Sequence, residues 1–353
     1  MYVAWRDLRF ARGRFALIGA VVALVTLLVG FLSGLTGGLA VQNVSAVIAL
    51  PADRLVLHPV EGASATFADS AIAADTVAAW RAAPGVETVT PVGILQTRVE
   101  GPGAATAVAL FGLDAGTAFA APRRDDEVDL SAGAAKALDA VVGDDVSVAG
   151  SSYRVAAIGG DDWYSHTPVV TLSKAAWTAL DQRLGGTGQP TVLAVTGSPA
   201  WDSVAADTGT TASTPLASLT ALSTFRSEIG SLALMIAMLF GVSALVVGAF
   251  FTVWSMQRSA DIAVLKALGA STPALVRDAL GQALVLLVGG VGVGIGLTAL
   301  LGVLAGGALP FVLSPLTTLA PAAGLIALGL LGAAVSLRTV ISSDPLTALG
   351  STR

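Results

Sequence analysis

The chain has no cysteine. No disulfide can staple it, and no thiolate can hold a metal. Lysine is almost missing too: the 19 basic residues include only Lys136, Lys174 and Lys266. None of the three sits in a G-x-x-x-x-G-K-[ST] phosphate loop, since their contexts read GAAKAL, TLSKAA and AVLKALG. ATP hydrolysis by that route is not expected of this chain. Histidine occurs twice, at His58 and His166. The two lie far apart in sequence, and each is read as a packed or loop residue rather than a metal ligand. Charged residues make up 12% of the chain, against about 25% in soluble domains. With 54% hydrophobic residues, this is the composition of a membrane protein.

The few charges are unevenly placed. Residues 50–222 hold 19 acidic and 9 basic side chains, and the remainder holds 5 acidic and 10 basic. The middle of the chain is therefore an acidic soluble domain, and the basic residues gather around the apolar runs. Arg6, Arg9, Arg12 and Arg14 precede the first run, Phe15 to Ala40. Its 26 residues would make a helix of about 39 Å, enough to span a hydrocarbon core of about 30 Å with some tilt. A cleaved signal peptide would carry a shorter apolar region, so a retained span is expected. Further spans are read at Ile229–Val253, Ala279–Leu309 and Leu319–Leu337. Arg258, Lys266, Arg277, Arg338 and Arg353 then fall on the same side as the N-terminus. The expectation is four spans with both termini cytoplasmic and residues 50–222 outside the plasma membrane. Gly30, Gly34 and Gly38, and the pairs Gly290/Gly294 and Gly292/Gly296, are strips on which helices can pack closely, including helices of a second copy; glycine is also simply frequent in membrane helices.

The acidic domain alternates short strand and helix signals and reads as α+β. Strands are expected at Arg54–His58, Val86–Val99, Thr106–Leu113, Val169–Leu172 and Thr191–Thr196, with helices at Ala74–Ala83, Ser131–Leu138 and Lys174–Leu184. A hairpin should pair Asp145–Val148 with Tyr153–Ile158 through residues 149–152. Residues 200–219 are polar and give no clear pattern. Asp125-Asp126-Glu127, Asp144-Asp145 and Asp161-Asp162 read as solvated turns rather than cation sites. No catalytic constellation occurs.

Between the second and third runs lies QRSADIAVLKALGAST, Gln257 to Thr272. Ile262, Leu265 and Leu268 fall on one helical face, with Arg258, Asp261 and Lys266 among the polar positions and Gly269 placed to end the helix. This stretch resembles the cytoplasmic loop of the FtsX/MacB-type ABC transporter permeases, roughly R-x-x-E-I-A-[VIL]-L-[KR]-A-[LI]-G-A, with Asp261 at the usual Glu position. The ending Asp344-Pro345-Leu346-Thr347-Ala348-Leu349 resembles the family's D-P-x-x-A-L tail, and Val142-Gly143-Asp144 a turn of the MacB-type periplasmic core. One four-span unit with no ATPase on the same chain looks most like the DevC/HrtB branch and its haem-efflux permeases.

The resemblance implies a membrane α-helical fold of four transmembrane helices, with a MacB-like α+β extracytoplasmic domain between the first and second. It divides the chain into 1–49 (cytoplasmic N-terminus and first span), 50–222 (extracytoplasmic domain), 223–256 (second span), 257–273 (coupling helix), 274–310 (third span), 311–318 (outer turn), 319–338 (fourth span) and 339–353 (cytoplasmic tail). It implies a permease homodimer in membrane lipid with two copies of a separate ABC ATPase. ATP and Mg would sit on that partner, and no cofactor would belong to this chain. Arg258, Asp261, Ile262, Leu265, Lys266, Leu268 and Gly269 would receive the ATPase stroke. Nucleic acid is not an expected partner, and no metal is expected beyond a haem iron in the cargo. Haem is the first substrate expectation. The candidate contacts are Glu228 for the iron, Arg226 for a propionate, Phe225 beside them, and Met235 and Met238 deeper on the same helix. Each has a second reading: Arg226 and Glu228 can snorkel to headgroups, and the methionines can simply pack; Phe15, Phe31, Phe240, Phe250 and Phe251 can line a planar ligand or merely face lipid. Other cargoes fit the same architecture, namely a peptide, a lipid or an antibiotic. So do a non-transporting transducer that activates a cell-wall enzyme and a membrane-anchored sensor without an ATPase.

Overall fold

The computed structural model describes residues 12–114, 121–257, 271–305 and 309–341. The expected coupling-helix residues Arg258, Asp261, Ile262, Leu265, Lys266, Leu268 and Gly269 lie outside the described residues, as does the tail from 342. The chain forms two units, one of residues 1–38 with 231–353 and one of residues 39–230.

The first unit is a helical membrane bundle. Among the described residues, four helices are long and apolar enough to cross a membrane: α1 (Arg12–Ile48), α7 (Ser223–Gln257), α8 (Thr272–Ala305) and α9 (Pro315–Ile341). Pro273 sits in the first turn of α8, where a missing N–H costs nothing. α9 starts at Pro315, earlier than the expected Leu319, because Ser314 and Thr317 cap it reciprocally. The Ser314 N–H donates to Thr317 Oγ1 at 3.0 Å, and the Thr317 N–H to Ser314 Oγ at 3.2 Å.

The bundle core joins Ile18, Val22 and Val29 of α1 to Ala283, Leu287 and Val291 of α8 and to Leu325, Ala333 and Leu337 of α9. Its glycines are used within the chain. A Cβ built on Gly290 would lie 2.8 Å from Val22 Cβ, and one on Gly294 2.5 Å from Thr26 Cβ. Gly30 faces Thr298, and Gly34 and Gly38 abut Phe311 and Pro310. Gly292 and Gly296 face open space. Phe31 stacks on Phe311 with centroids 5.1 Å apart, and Phe15, Phe240 and Phe250 pack against the bundle core.

The 39–230 unit is α+β. Its strands are β1 (Arg54–Leu57), β2 (Val86–Glu100), β3 (Ala105–Leu113), β4 (Glu127–Leu130), β5 (Asp145–Val148), β6 (Ser151–Ile158), β7 (Trp163–Tyr164), β8 (Thr167–Ser173), β9 (Val192–Gly197) and β10 (Thr211–Ser213). Helices α2 (Ala74–Ala82), α3 (Ala132–Leu138), α4 (Lys174–Arg183), α5 (Trp201–Asp207) and α6 (Pro215–Ser218) complete it. β2 belongs to two sheets. Residues 86–92 pair with β9, which continues to β1 and β10. Residues 93–100 pair with β3, and the order runs on through β8, β4, β6 and β5. β5 then pairs back onto Val99 and Glu100, so the second sheet closes into a ring of six strands.

Where β2 changes partner, Gly93 stands opposite Gly112 of β3, and the buried Trp177 of α4 lies over the pair. Any Cβ there would fall within about 2.4 Å of the indole, so only glycine fits. Ser131 and Ser173 cap α3 and α4 by accepting from Ala134 N and Ala176 N. The β5–β6 turn is tighter than the sequence suggests. Ala149 and Gly150 both have positive φ, a two-residue primed turn, so Ser151 and Ser152 pair with Val148 and Ser147 instead of looping out. Residues 200–219, which gave no pattern, fold as α5, β10 and α6.

Candidate functional site

Three segments of the 39–230 unit meet around one carboxylate. They are the last turns of α1, the turn between β7 and β8, and the first turns of α7. The β7–β8 turn has two residues, Ser165 and His166, with φ of 45° and 63°. A primed hairpin turn needs positive φ at both places and usually takes Asn or Gly. Here serine and histidine carry the strain, of order 1–3 kcal/mol each for such residues. Hydrogen bonds to α1 hold them there. The Ser165 N–H donates to the Asn43 carbonyl at 2.9 Å, and the His166 N–H to the Gln42 carbonyl at 3.0 Å. Behind the turn, the Trp163 N–H donates to Ser45 Oγ at 2.8 Å.

The side chains close a network over this turn. His166 Nε2 lies 2.8 Å from Glu228 Oε2, and Asn43 Nδ2 donates to the same oxygen at 3.3 Å. A carboxylate only accepts, so Nε2 carries the proton of this bond. Thr224 Oγ1 donates to Asn43 Oδ1 at 3.1 Å and stands 3.2 Å from Ser165 Oγ. Thr224 and Glu228 are four residues apart, so both fall on the face of α7 turned to the hairpin. His166 and Glu228 keep 30% and 39% of their side-chain surface exposed, so the pair is reachable from solvent.

Among the sequence candidates within the described residues, only Glu228 enters this network. Arg226, two residues before it, is exposed. Phe225 packs against a core of Val44, Val47, Leu57, Phe67, Phe111 and Tyr164. Met235 and Met238 are exposed in the membrane unit. His166 is read from the sequence only as a packed or loop residue, and nothing local in the sequence marks it, Asn43, Ser165 or Thr224 as partners of Glu228. Among the described residues, no group of three or more His, Asp or Glu could hold a metal.

The same unit has a cavity of about 370 Å³ lined by Ala49, Leu130, Ser131, Ile158 and Val169, with Asp129 and Asp162 at its polar side. Burial holds the Asp129 carboxyl above the usual carboxylate range, aided by Glu127 and opposed by a bond from the Ala157 N–H. Burial, then the neighbouring Asp161, does the same to Asp162.

Over 370 aligned residues the chain is 26% identical to the putative hemin transport system permease protein HrtB of Staphylococcus haemolyticus, covering 99% of each chain. It is also 26% identical, over 369 residues and 99% of each chain, to an uncharacterized ABC transporter permease of Mycobacterium tuberculosis. Of solved structures, the periplasmic region of MacB from Actinobacillus actinomycetemcomitans aligns with 48% of this chain and 92% of its own, at 9% identity and a TM-score of 0.35. Residues 233–345 match the FtsX-like permease C-terminal family, and the chain carries an FtsX-like permease domain there.

Proposed function

We propose that this chain is the membrane subunit of an ABC exporter that removes an amphiphile from the membrane, with haem as its first candidate cargo. The observation that carries this is the end-to-end similarity to a protein named as a putative hemin transport permease, 26% over 99% of both chains. The four apolar helices and the FtsX-like domain support it. Energy would come from a separate ATPase, bound in two copies to a permease dimer and pushing on Gln257–Thr272. Both termini would be cytoplasmic and residues 50–222 outside. Glu228, partly exposed at the start of α7, would contact the cargo.

The test is a hemin titration of the purified permease followed by visible absorption, beside the ATPase rate of the complex. A saturable Soret shift with an altered rate is expected, and Glu228→Ala should abolish both. No binding by an active complex would refute haem and favour a peptide, lipid or cell-wall role. Unchanged stimulation in Glu228→Ala would refute the cargo contact.

A further inference from the structure

One oxygen of the carboxylate proposed to meet the cargo is already engaged. Glu228 Oε2 accepts from His166 Nε2 at 2.8 Å and from Asn43 Nδ2 at 3.3 Å. Its neighbours are also what ties three segments together. Asn43 belongs to α1, His166 to the β7–β8 turn and Glu228 to α7, and Thr224 and Ser165 complete the ring. A cargo group that takes Oε2 itself, rather than the other oxygen of the carboxylate, competes with both donors for that atom's lone pairs. The backbone bonds from Ser165 and His166 keep the turn on α1, and the His166–Glu228 bond is part of what holds α7 to it.

We propose that His166 is a positioning residue for export. With Asn43 it latches Glu228, and cargo binding at Oε2 of Glu228 displaces it, freeing the start of α7 from a hairpin that its backbone bonds keep on α1. Cargo occupancy would then become a change in helix spacing through a competition for one oxygen. Nothing else need carry the signal, since the same bond serves as both the cargo contact and the latch. The inference rests on the reading of Glu228 as the cargo contact.

A latch and a merely structural histidine differ in sign. Loss of a structural residue weakens binding and coupling together. Loss of a competitor tightens binding while coupling fails. His166→Ala should lower the half-saturating hemin concentration by about two- to fivefold, the range for an exposed ion pair of up to about 1 kcal/mol, yet abolish hemin stimulation of the ATPase. His166→Gln keeps an N–H donor and should restore part of the coupling.

The full-length permease has no cysteine, so cysteines placed at the exposed Val41 and Ser227 can be spin-labelled cleanly. Without hemin, His166→Ala should lengthen and broaden the 41–227 distance, and His166→Gln should not. Hemin should move the wild-type distance to the His166→Ala value. A wild-type distance in His166→Ala, or saturable hemin binding that leaves the wild-type distance unchanged, overturns the proposal. If hemin does not bind, the cargo reading has failed and the displacement step with it; the hemin-free distance in His166→Ala then decides the latch by itself.

Discussion

Gly290 of α8 lies against Val22 of α1, so close that a Cβ added there would be 2.8 Å from Val22 Cβ and 3.1 Å from the Gly19 carbonyl oxygen. Membrane helices have no hydrophobic drive toward one another, so close backbone contact of this kind has to hold them. Gly292, two residues on, faces open space. The two positions look equivalent in sequence, and the structure separates them.

Gly290→Leu should therefore separate α1 from α8 and cost about 1–3 kcal/mol, as overpacking a closed contact does. Gly292→Leu should leave the stability of the chain nearly unchanged. Thermal unfolding of both variants in detergent, followed by tryptophan fluorescence, checks this. Equal loss in both would mean that the α1–α8 contact is not where the bundle is tight.

Within the 39–230 unit, Trp177 buries its ring over Gly93 and Gly112 but leaves its indole N–H without a hydrogen-bond partner among the described residues. An unmet buried donor costs about 1–3 kcal/mol, which offsets part of what the ring contributes. Trp177→Phe removes that donor and keeps an aromatic ring, so stability should stay within about 1 kcal/mol of the wild type. Trp177→Ala should cost about 3–5 kcal/mol by leaving a cavity. Denaturant unfolding of the two variants separates ring packing from the N–H. A Phe variant as unstable as the Ala variant would show that the part of the indole a phenyl ring lacks, which lies over Gly93, carries the packing.

Elements with strong local signals were legible in the sequence. The expected strand Val86–Val99 is β2 to within a residue, and the helix expected from Ser131 is α3 with Ser131 as its cap. The four apolar runs correspond to the four long helices. What local pattern could not give was contact at a distance. His166 and Glu228 are 62 residues apart, and Asn43 and Glu228 are 185 apart. The turn that joins them uses Ser-His where a hairpin usually shows Asn-Gly, so the β7–β8 hairpin carried no turn signal. Glu228 was found by its place at the start of a span. Its partners were not, because a lone histidine and a lone asparagine look alike in a core, a loop or a site. Gly30, Gly34 and Gly38 were read as packing strips that could also serve a second copy, whereas the structure closes them within this chain.

The cavity beside β4 makes a prediction about pH. Burial, and then repulsion by Asp161, hold Asp162 above the ordinary carboxylate range. A carboxyl with a raised pKa in the folded state binds its proton more tightly there than when unfolded. Its contribution to stability is therefore full below the ordinary carboxylate range and is lost as pH rises through the folded value. At neutral pH the ionised Asp162 costs stability, and Asp162→Asn should remove that cost. The full-length variant should melt slightly higher than the wild type at pH 7. The gain should shrink as pH falls and vanish well below the ordinary carboxylate range, where the carboxyl is protonated in the folded and unfolded chain alike. Melting curves of both proteins across this range provide the check. A gain that persists well below the ordinary carboxylate range would point to packing rather than charge, and a loss at pH 7 would mean that the ionised carboxylate is held by a favourable partner in the cavity.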